Sequence, residues 1–343
     1  MSHWKAAERA GASDVAIWRA DPTALSRLPL GEFEEGPLLQ VVARRILLAA
    51  RLPPGLIALF IGRRGGTRRV LELTSYWRGV RRALRDRYTW RQLTQGTTIL
   101  VYHAVGADGE KASRFIVPRR SFERQMRTLA RSRPVLTLED FVALHQAHRL
   151  PPARSVVITF DDGYRDTREL AAPVLARLRL PATVFLVSTR VGDGMIWEGD
   201  GELARRPLVS WEDVDELREN GFEIGAHTRT HPILTELPPD ELDSEIAGSR
   251  ADLADRLGVP PCAFAYPYGK WSVAAAEAAR RAGFTSALTV SAGRNGPATP
   301  LHALRRTLIY GSDSRLRFAL GVAFVDTTIL ERLRQRLWGS RRA

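Results

Sequence analysis

Cysteine is almost absent from this chain of 343 residues, since Cys262 is the only one. A single cysteine excludes an internal disulfide framework and a cluster of thiolate metal ligands within one chain. Lysine is also scarce, with three residues among 51 basic ones. The hydrophobic fraction of 44% and the charged fraction of 26% resemble those of globular proteins, so a wholly disordered or collagen-like chain is excluded too.

Long hydrophobic runs are missing as well. The best apolar window runs from Leu52 to Gly62 and covers 11 residues, whereas a membrane-spanning helix needs about 20. Pro53 and Pro54 would also interrupt a helix there. A signal peptide has a continuous apolar core after its basic start, and the N-terminus has none after Lys5. We therefore expect no transmembrane helix, no signal peptide and a cytoplasmic location.

Positive charge is concentrated in residues 40–95, which hold 13 arginines against two acids, Glu72 and Asp86. Residues 38–61 predict a helix, a Pro-Pro break and a second short helix. From Arg68 to Arg91, apolar residues at helical spacing predict one amphipathic basic helix. This segment could lie on an anionic membrane surface or pack on a partner domain. A solvated arginine-rich face is the alternative. We expect no specific binding of nucleic acid.

From Thr97 onward, short β-branched runs alternate with helical patterns, which favours a parallel α/β sheet. About seven such units would close more naturally into a barrel than into an open sheet, and in such barrels the chemistry lies at the carboxyl ends of the strands. The predicted strands are Thr98–Tyr102, Ser155–Phe160, Ala182–Val187, Phe222–Gly225, Ala263–Tyr266, Ser286–Val290 and Thr307–Tyr310. The predicted helices are Ser121–Ala130, Leu138–Ala147, Asp166–Leu178, Trp211–Glu219, Asp240–Leu257 and Val273–Ala282, with Thr137 and Ser210 as caps. We divide the chain into a basic helical extension (1–95), the barrel (96–311) and a helical tail (312–343).

Three motifs lie at the ends of predicted strands. Asp161 and Asp162 end the second strand, where two buried carboxylates would need a cation nearby, although a solvated Asp-Asp turn is the simpler interpretation. His227 and His231 follow a later strand, and two imidazoles with one carboxylate form a metal site that leaves positions open for water and substrate. The third motif, Phe264–Gly269, could form a wall for sugar rings and offer a backbone N–H to an oxyanion.

These motifs, in this order, resemble those of the polysaccharide deacetylases of carbohydrate esterase family 4, the NodB-homology group. Thr159–Gly163 matches the Thr-Phe-Asp-Asp-Gly motif, His227–His231 the His-Ser/Thr-x-x-x-His motif or a close variant, and Phe264–Gly269 the aromatic-x-x-Pro-Tyr-Gly motif. The resemblance covers roughly Thr97 to Ser312. It implies a distorted (β/α) barrel of about seven units that removes N-acetyl, or O-acetyl, groups from glycans with a divalent metal, zinc before cobalt or another ion.

By position in the motifs, the resemblance makes Asp162, His227 and His231 the metal ligands and Asp161 the general base. It gives Tyr268 the backbone N–H for the oxyanion. For the general acid the chain offers His302, and His103 could line the site. The remaining candidates for substrate binding are Tyr164, Trp211, Tyr266, Pro267 and the Tyr268 side chain.

Ala265 departs from the family pattern, because many members have at this position an arginine that orients the base. Residues 1–95 resemble the C-terminal tail of a bacterial membrane-associated glycosyltransferase, through the ARRILLAARLPP stretch and the run Tyr76–Arg81. They contain no Asp-x-Asp core, so we interpret them as an adaptor or remnant without transferase activity. A glycosyltransferase partner and a position on the inner face of the plasma membrane are corresponding expectations.

Two other functions are compatible with the motifs. A two-histidine, one-carboxylate set is also typical of Fe(II) oxygenases, which usually have antiparallel double-sheet folds and a short His-x-Asp pair. A non-catalytic glycan-binding module is the second alternative, because the orienting arginine is missing and the acid is uncertain. Retention of Asp161 argues against a mere binding module, since binding alone would not need a base.

Overall fold

The computed structural model describes residues 3–33, 35, 44–48, 65–192, 203 and 206–324. The chain forms two compact units. The N-terminal unit comprises Met1–Gly96 with two later segments, Leu144–Ala153 and Asn295–Thr299. The barrel unit comprises Thr97–Ala143, Arg154–Arg294 and Pro300–Ala343.

The N-terminal unit is helical where the structure describes it. Its helices are α1 (His3–Ala20), α2 (Gly65–Leu84) and α3 (Arg87–Thr94), with short 3₁₀ turns at Pro22–Ser26 and Pro29–Glu32. Residues 44–48 are also helical, and the rest of the predicted helix–break–helix over 38–61 lies outside the described residues.

The prediction of one continuous helix from Arg68 to Arg91 is wrong. The chain leaves the helix at Arg85, whose φ of 61° is left-handed. Asp86 then caps α3 by accepting the N–H of Thr89 at 2.7 Å. An N-cap aspartate stabilises a helix start, typically by about 1 kcal/mol. Asp86 therefore starts a second helix instead of extending the first.

The apolar face of α2 is buried inside the N-terminal unit. Trp77 and Val80 are almost fully buried, and the Trp77 ring meets the Phe33 ring edge to face at 4.7 Å. This face is therefore occupied by the unit's own core. Across the part of the chain that the structure describes, no helix has both the length and the apolar content to cross a bilayer.

The barrel unit contains a seven-stranded parallel sheet. Its strands are β1 (Thr98–Tyr102), β4 (Val156–Phe160), β5 (Thr183–Leu186), β6 (Glu223–Ala226), β7 (Ala263–Ala265), β8 (Ser286–Leu288) and β9 (Arg306–Leu308). They pair in the order β8-β7-β6-β5-β4-β1-β9. A parallel bridge joins Leu288 of β8 to Leu304, two residues before β9. The sheet is thus nearly closed, and the predicted (β/α) barrel of about seven units is confirmed.

Helices connect the parallel strands, as their geometry requires. They are α4 (Arg119–Ser132), α5 (Leu138–Gln146), α6 (Ala172–Leu178), α7 (Trp211–Glu219), α8 (Pro239–Leu257) and α9 (Val273–Arg281). The predicted caps are present: Ser210 forms a capping box with Asp213, and the Thr137 hydroxyl accepts the N–H of Asp140 at 2.9 Å. In the tail, α10 (Arg315–Phe324) is helical as predicted, and residues 325–343 lie outside the described part.

Two local features are not evident in the hydrophobic pattern. A small parallel sheet pairs β2 (Ala104–Gly106) with β3 (Ile116–Pro118). The helical region after Asp162 contains a π-turn at Thr167–Ala171, directly before α6. Single π-turns of this kind occur frequently near functional sites.

The barrel has an inner and an outer apolar layer because successive strand residues point to opposite faces. The inner layer includes Ile99, Val157, Phe185 and Leu288, whereas the strand residues between them join the larger cluster under the helices. On β4 this alternation places Val157, Thr159 and the following Asp161 on one face. The polar end of that face is where the candidate site lies.

Candidate active site

Asp161 and Asp162 lie at the carboxyl end of β4, where the chain turns sharply. The Asp161 N–H donates to the Tyr102 carbonyl at 2.9 Å and so continues the pairing of β1 with β4. Asp162 and Gly163 then adopt left-handed φ values of 73° and 74°. A Cβ on Gly163 would approach a Leu186 methyl group to 2.7 Å, so glycine permits the turn that brings both carboxylates to the barrel end.

His227 and His231 lie in the loop after β6. The Nδ1–H of His227 donates to the Ala265 carbonyl at 2.7 Å, which leaves its Nε2 as the ligand atom. Thr228 and His231 both have left-handed φ values, 65° and 67°, and the Thr228 hydroxyl accepts the His231 N–H at 2.9 Å. Such backbone conformations in non-glycine residues are costly and concentrate at functional sites.

Asp162, His227 and His231 form one buried group. The Asp162 Oδ1 lies 3.4 Å from the Nε2 of each histidine, and one ligand atom from each residue lies within 4.8 Å of the others. Although it is buried, Asp162 Oδ1 makes no hydrogen bond within the described part of the chain. Two imidazoles and one carboxylate with such an oxygen suit a divalent cation such as Zn²⁺, so the residues fit the metal that the motifs imply.

The charges in the site suit metal binding at neutral pH. Burial raises the pKa of Asp162, but the neighbouring His227, His103 and His231 outweigh it and hold that pKa below its ordinary value. Burial and the neighbouring His227 lower the pKa of His231 to about 3. The carboxylate is therefore ionised and His231 neutral, as ligands must be. Burial lowers the pKa of His227, but the neighbouring Asp162 and Asp161 outweigh it and raise that pKa, so His227 must release its proton when a cation binds.

Arg306 of β9 is not among the site residues that the sequence predicts. This fully buried arginine pairs with Asp161 through two bonds, Nη1 to Oδ1 at 2.6 Å and Nη2 to Oδ2 at 2.7 Å. Its Nε also donates to the Thr289 carbonyl at 2.8 Å. Burial raises the pKa of Asp161, but Arg306 outweighs it and keeps that pKa below its ordinary value. Ala265 is not an arginine, but Arg306 from another strand is thus paired with the predicted base, Asp161.

In a chain with 48 arginines, the sequence carries little signal for Arg306. It precedes the predicted strand Thr307–Tyr310 by one residue and follows another arginine, Arg305. Its place at the start of an apolar strand is the one feature that distinguishes it from the other arginines. A residue on such a strand points either into the barrel or under the helices, so an arginine there is expected to be buried.

The charges of Asp161 and Asp162 act on His103, whereas His302 has other partners. His103 follows β1, is tilted on the Phe115 ring at 4.8 Å and is affected by the charges of Asp162 and Asp161. Burial dominates and lowers its pKa. The Nε2–H of His302 donates to the Phe284 carbonyl at 2.9 Å, and its own carbonyl accepts the Tyr266 hydroxyl.

Of the candidate substrate-binding aromatics, the structure brings Tyr268 to His231 of the buried Asp162–His227–His231 group. The Tyr268 side chain is 56% exposed, and its ring meets the His231 ring at 4.7 Å. Its backbone is left-handed, with a φ of 57°.

The other substrate-binding candidates have different surroundings. Tyr164, Tyr266 and Pro267 are buried, so their side chains offer no open surface to a sugar. Trp211 packs against the outer core and under the Arg256 guanidinium. Their side chains therefore have structural partners, which the sequence pattern does not reveal.

The chain is similar in sequence and structure to known polysaccharide deacetylases. A family model described as polysaccharide deacetylase matches residues 148–287. YxkH of Bacillus subtilis, named as a polysaccharide deacetylase, is 26% identical over 212 residues, 62% of this chain and 70% of that protein. The poly-β-1,6-N-acetyl-D-glucosamine N-deacetylase of Escherichia coli K12 is 26% identical over 220 residues, 55% of this chain and only 33% of its own length. The solved structure of IcaB from Ammonifex degensii is 27% identical, has a TM-score of 0.58, and matches 67% of this chain and 97% of that one.

Proposed function

We propose that this protein, whose residues 148–287 match the polysaccharide deacetylase family, hydrolyses N-acetyl groups of a glycan and releases acetate with the help of a divalent metal. The observation that carries the proposal is the buried Asp162–His227–His231 group beside an arginine-paired second carboxylate, at one end of a parallel barrel. A structural metal site would not need the second carboxylate, whereas a hydrolase needs a base next to the reacting water.

Each residue has a distinct role in the proposal. Asp162, His227 and His231 would hold the cation, which would polarise the acetyl carbonyl and make water more acidic. Asp161 is the base that takes the proton from water, and Arg306 keeps its carboxylate ionised and oriented. The backbone N–H of Tyr268 is the donor for the developing oxyanion.

The proton for the leaving amine needs a separate donor. His302 was the sequence-based candidate, but its Nε2–H is engaged with Phe284. His103 suits this role better because it is close enough to Asp161 and Asp162 to be affected by both charges. Its buried Nδ1 also makes no hydrogen bond within the described part of the chain. We therefore prefer His103 as the acid, in a step in which it first takes up a proton, because burial holds its pKa below the ordinary value.

The direct test is acetate release from poly-β-1,6-N-acetylglucosamine and from chito-oligosaccharides, after metal removal and reconstitution with zinc, cobalt or another divalent ion. We expect turnover only with metal. The same assay on O-acetylated glycans would distinguish hydrolysis of an acetyl ester from hydrolysis of an acetyl amide. Binding of sugar without acetate release would instead identify a glycan-binding module. Oxygen consumption would identify an Fe(II) oxygenase, although the parallel barrel differs from the usual fold of that class.

We further propose that residues 40–95 hold the protein on an anionic membrane surface, the cytoplasmic leaflet in cells. The apolar face of α2 is buried in its own unit, so the attraction must be electrostatic. Arg85, Arg87 and Arg91 are exposed and make no ion pair within the described part of the chain, which leaves their charge available. A lipid-linked or nascent glycan made by a glycosyltransferase at that surface would then be the substrate.

Sedimentation with anionic and neutral vesicles tests this second proposal. Each arginine near an anionic surface contributes about 1 kcal/mol. Changing Arg85, Arg87 and Arg91 together to Gln should therefore weaken binding by up to about a hundredfold. The matched control changes Arg131, Arg280 and Arg315, three exposed arginines of the barrel unit. Equal loss in both variants, or binding indifferent to salt, would contradict the proposal.

A further inference from the structure

The loop that carries His227 and His231 is held by one face of α8. Glu245 of that helix accepts three hydrogen bonds from the middle of the loop: the N–H of Arg229 at 2.9 Å, the N–H of Thr230 at 3.0 Å and the Thr230 hydroxyl at 2.7 Å. One carboxylate therefore satisfies two adjacent backbone donors between the two histidines. These donors would otherwise need water or lose a partner.

A second contact from the same helix face holds the Arg229 side chain. Its Nε donates to Asp252 Oδ2 at 2.9 Å, and the same oxygen accepts the Ser188 hydroxyl at 2.7 Å. Between Glu245 and Asp252, Gly248 leaves the space in which Arg229 lies. A Cβ there would approach Arg229 Cδ to 2.6 Å. The three helix residues are separated by three and four positions, so they share one helix face.

The segment after β5 holds the loop from its other side. The N–H of Ser188 donates to the Thr228 carbonyl at 3.0 Å, and the N–H of Thr189 donates to the Arg229 carbonyl at 3.2 Å. The loop backbone is thus bonded through N–H groups to α8 and through carbonyl groups to residues 188–189. Bonds on both sides can maintain the left-handed conformations of Thr228 and His231, which are unfavourable by themselves.

We infer that Glu245 is a positioning residue that sets the geometry of the two histidine ligands and thereby the metal affinity, an inference that rests on the proposed function. Glu245 touches neither a metal ligand side chain nor any reacting atom, and it acts through the backbone of residues 229 and 230. Loss of partners that orient metal ligands typically lowers metal affinity 10–100-fold. That range is the effect expected here.

The test compares zinc and cobalt affinity of the metal-free full-length protein by calorimetric titration. Glu245→Ala should weaken binding 10–100-fold. Glu245→Gln should recover most of the affinity, because its amide oxygen can still accept the two N–H groups. The matched control is Asp243→Asn on the same helix as Glu245, which removes an exposed ion pair with Arg281 of α9 and should leave affinity unchanged.

The readouts separate this inference from the proposed function. If the wild-type protein binds no metal, the proposed function fails. If the wild type binds metal and Glu245→Ala binds it equally well, the positioning role fails while the proposed function stands. Thermal unfolding of each metal-free variant shows whether a loss of metal affinity is accompanied by a loss of stability. An affinity loss that Gln does not restore, together with a matching loss of stability, would indicate general destabilisation and overturn the inference.

Discussion

Replacing Arg306 by Met should damage both stability and catalysis, because it removes the guanidinium that is paired with the buried Asp161 carboxylate. Arg306 and Asp161 form the two-bond pair described above, and both side chains are at most 4% exposed. Breaking a buried ion pair from one side costs about 3–5 kcal/mol. A second route gives a similar value: a fully buried carboxyl without a partner has a pKa raised by about 3 units, equivalent to about 4 kcal/mol.

The pH dependence follows from the direction of each shift. In the wild type the pKa of Asp161 is below its ordinary value, so the stabilisation is complete above the unfolded pKa and is lost only as pH falls through the folded one. In R306M the pKa would lie above the unfolded value. The variant should then be least stable relative to wild type at neutral and higher pH, and the difference should shrink towards pH 4.

Thermal unfolding between pH 4 and 9 and acetate release over the accessible range measure these effects. We expect the residual activity of R306M to rise with pH near and above neutrality, because the base must ionise to act. The control is R315M, an exposed arginine of α10, which should change neither quantity. In the double variant R306M/D161N neither charge remains, so its loss of stability should be smaller than the sum of the two single losses. Additive losses, or an unchanged pH profile, would refute the reasoning.

Three further predictions concern the site itself. Asp161→Asn should abolish acetate release but keep nearly all bound metal, measured by elemental analysis, since a base is not a ligand; loss of metal would show a different role. His227→Ala and His231→Ala should both lose metal, and full occupancy in either would locate the site elsewhere. Tyr268→Phe should cost little in turnover if its backbone N–H serves the oxyanion, whereas a loss of about a hundredfold or more, the usual effect of removing one oxyanion donor, would show that the hydroxyl matters.

The sequence by itself determined the barrel because the alternation of strands and helices is a local property. The predicted strands were found with their boundaries shifted by two residues or fewer, and Trp211–Glu219 was found with its predicted bounds and cap. The sequence also indicated the donor set, because carboxylates and imidazoles at the ends of parallel strands must meet at one end of the barrel. The structure brings Asp162, His227 and His231 together there.

Tertiary structure decided the residues that act through long-range contacts. Arg306 reaches Asp161 across 145 positions of the chain, and Glu245 holds a loop 15 residues before it, so no local pattern distinguishes either from other arginines and glutamates. The same limit explains the aromatic residues: Tyr266 and Trp211 looked suited to sugars, but whether an aromatic ring faces solvent or core depends on what packs over it. Spacing along a strand or helix determines which face a residue occupies, and only the packed fold determines what lies opposite that face.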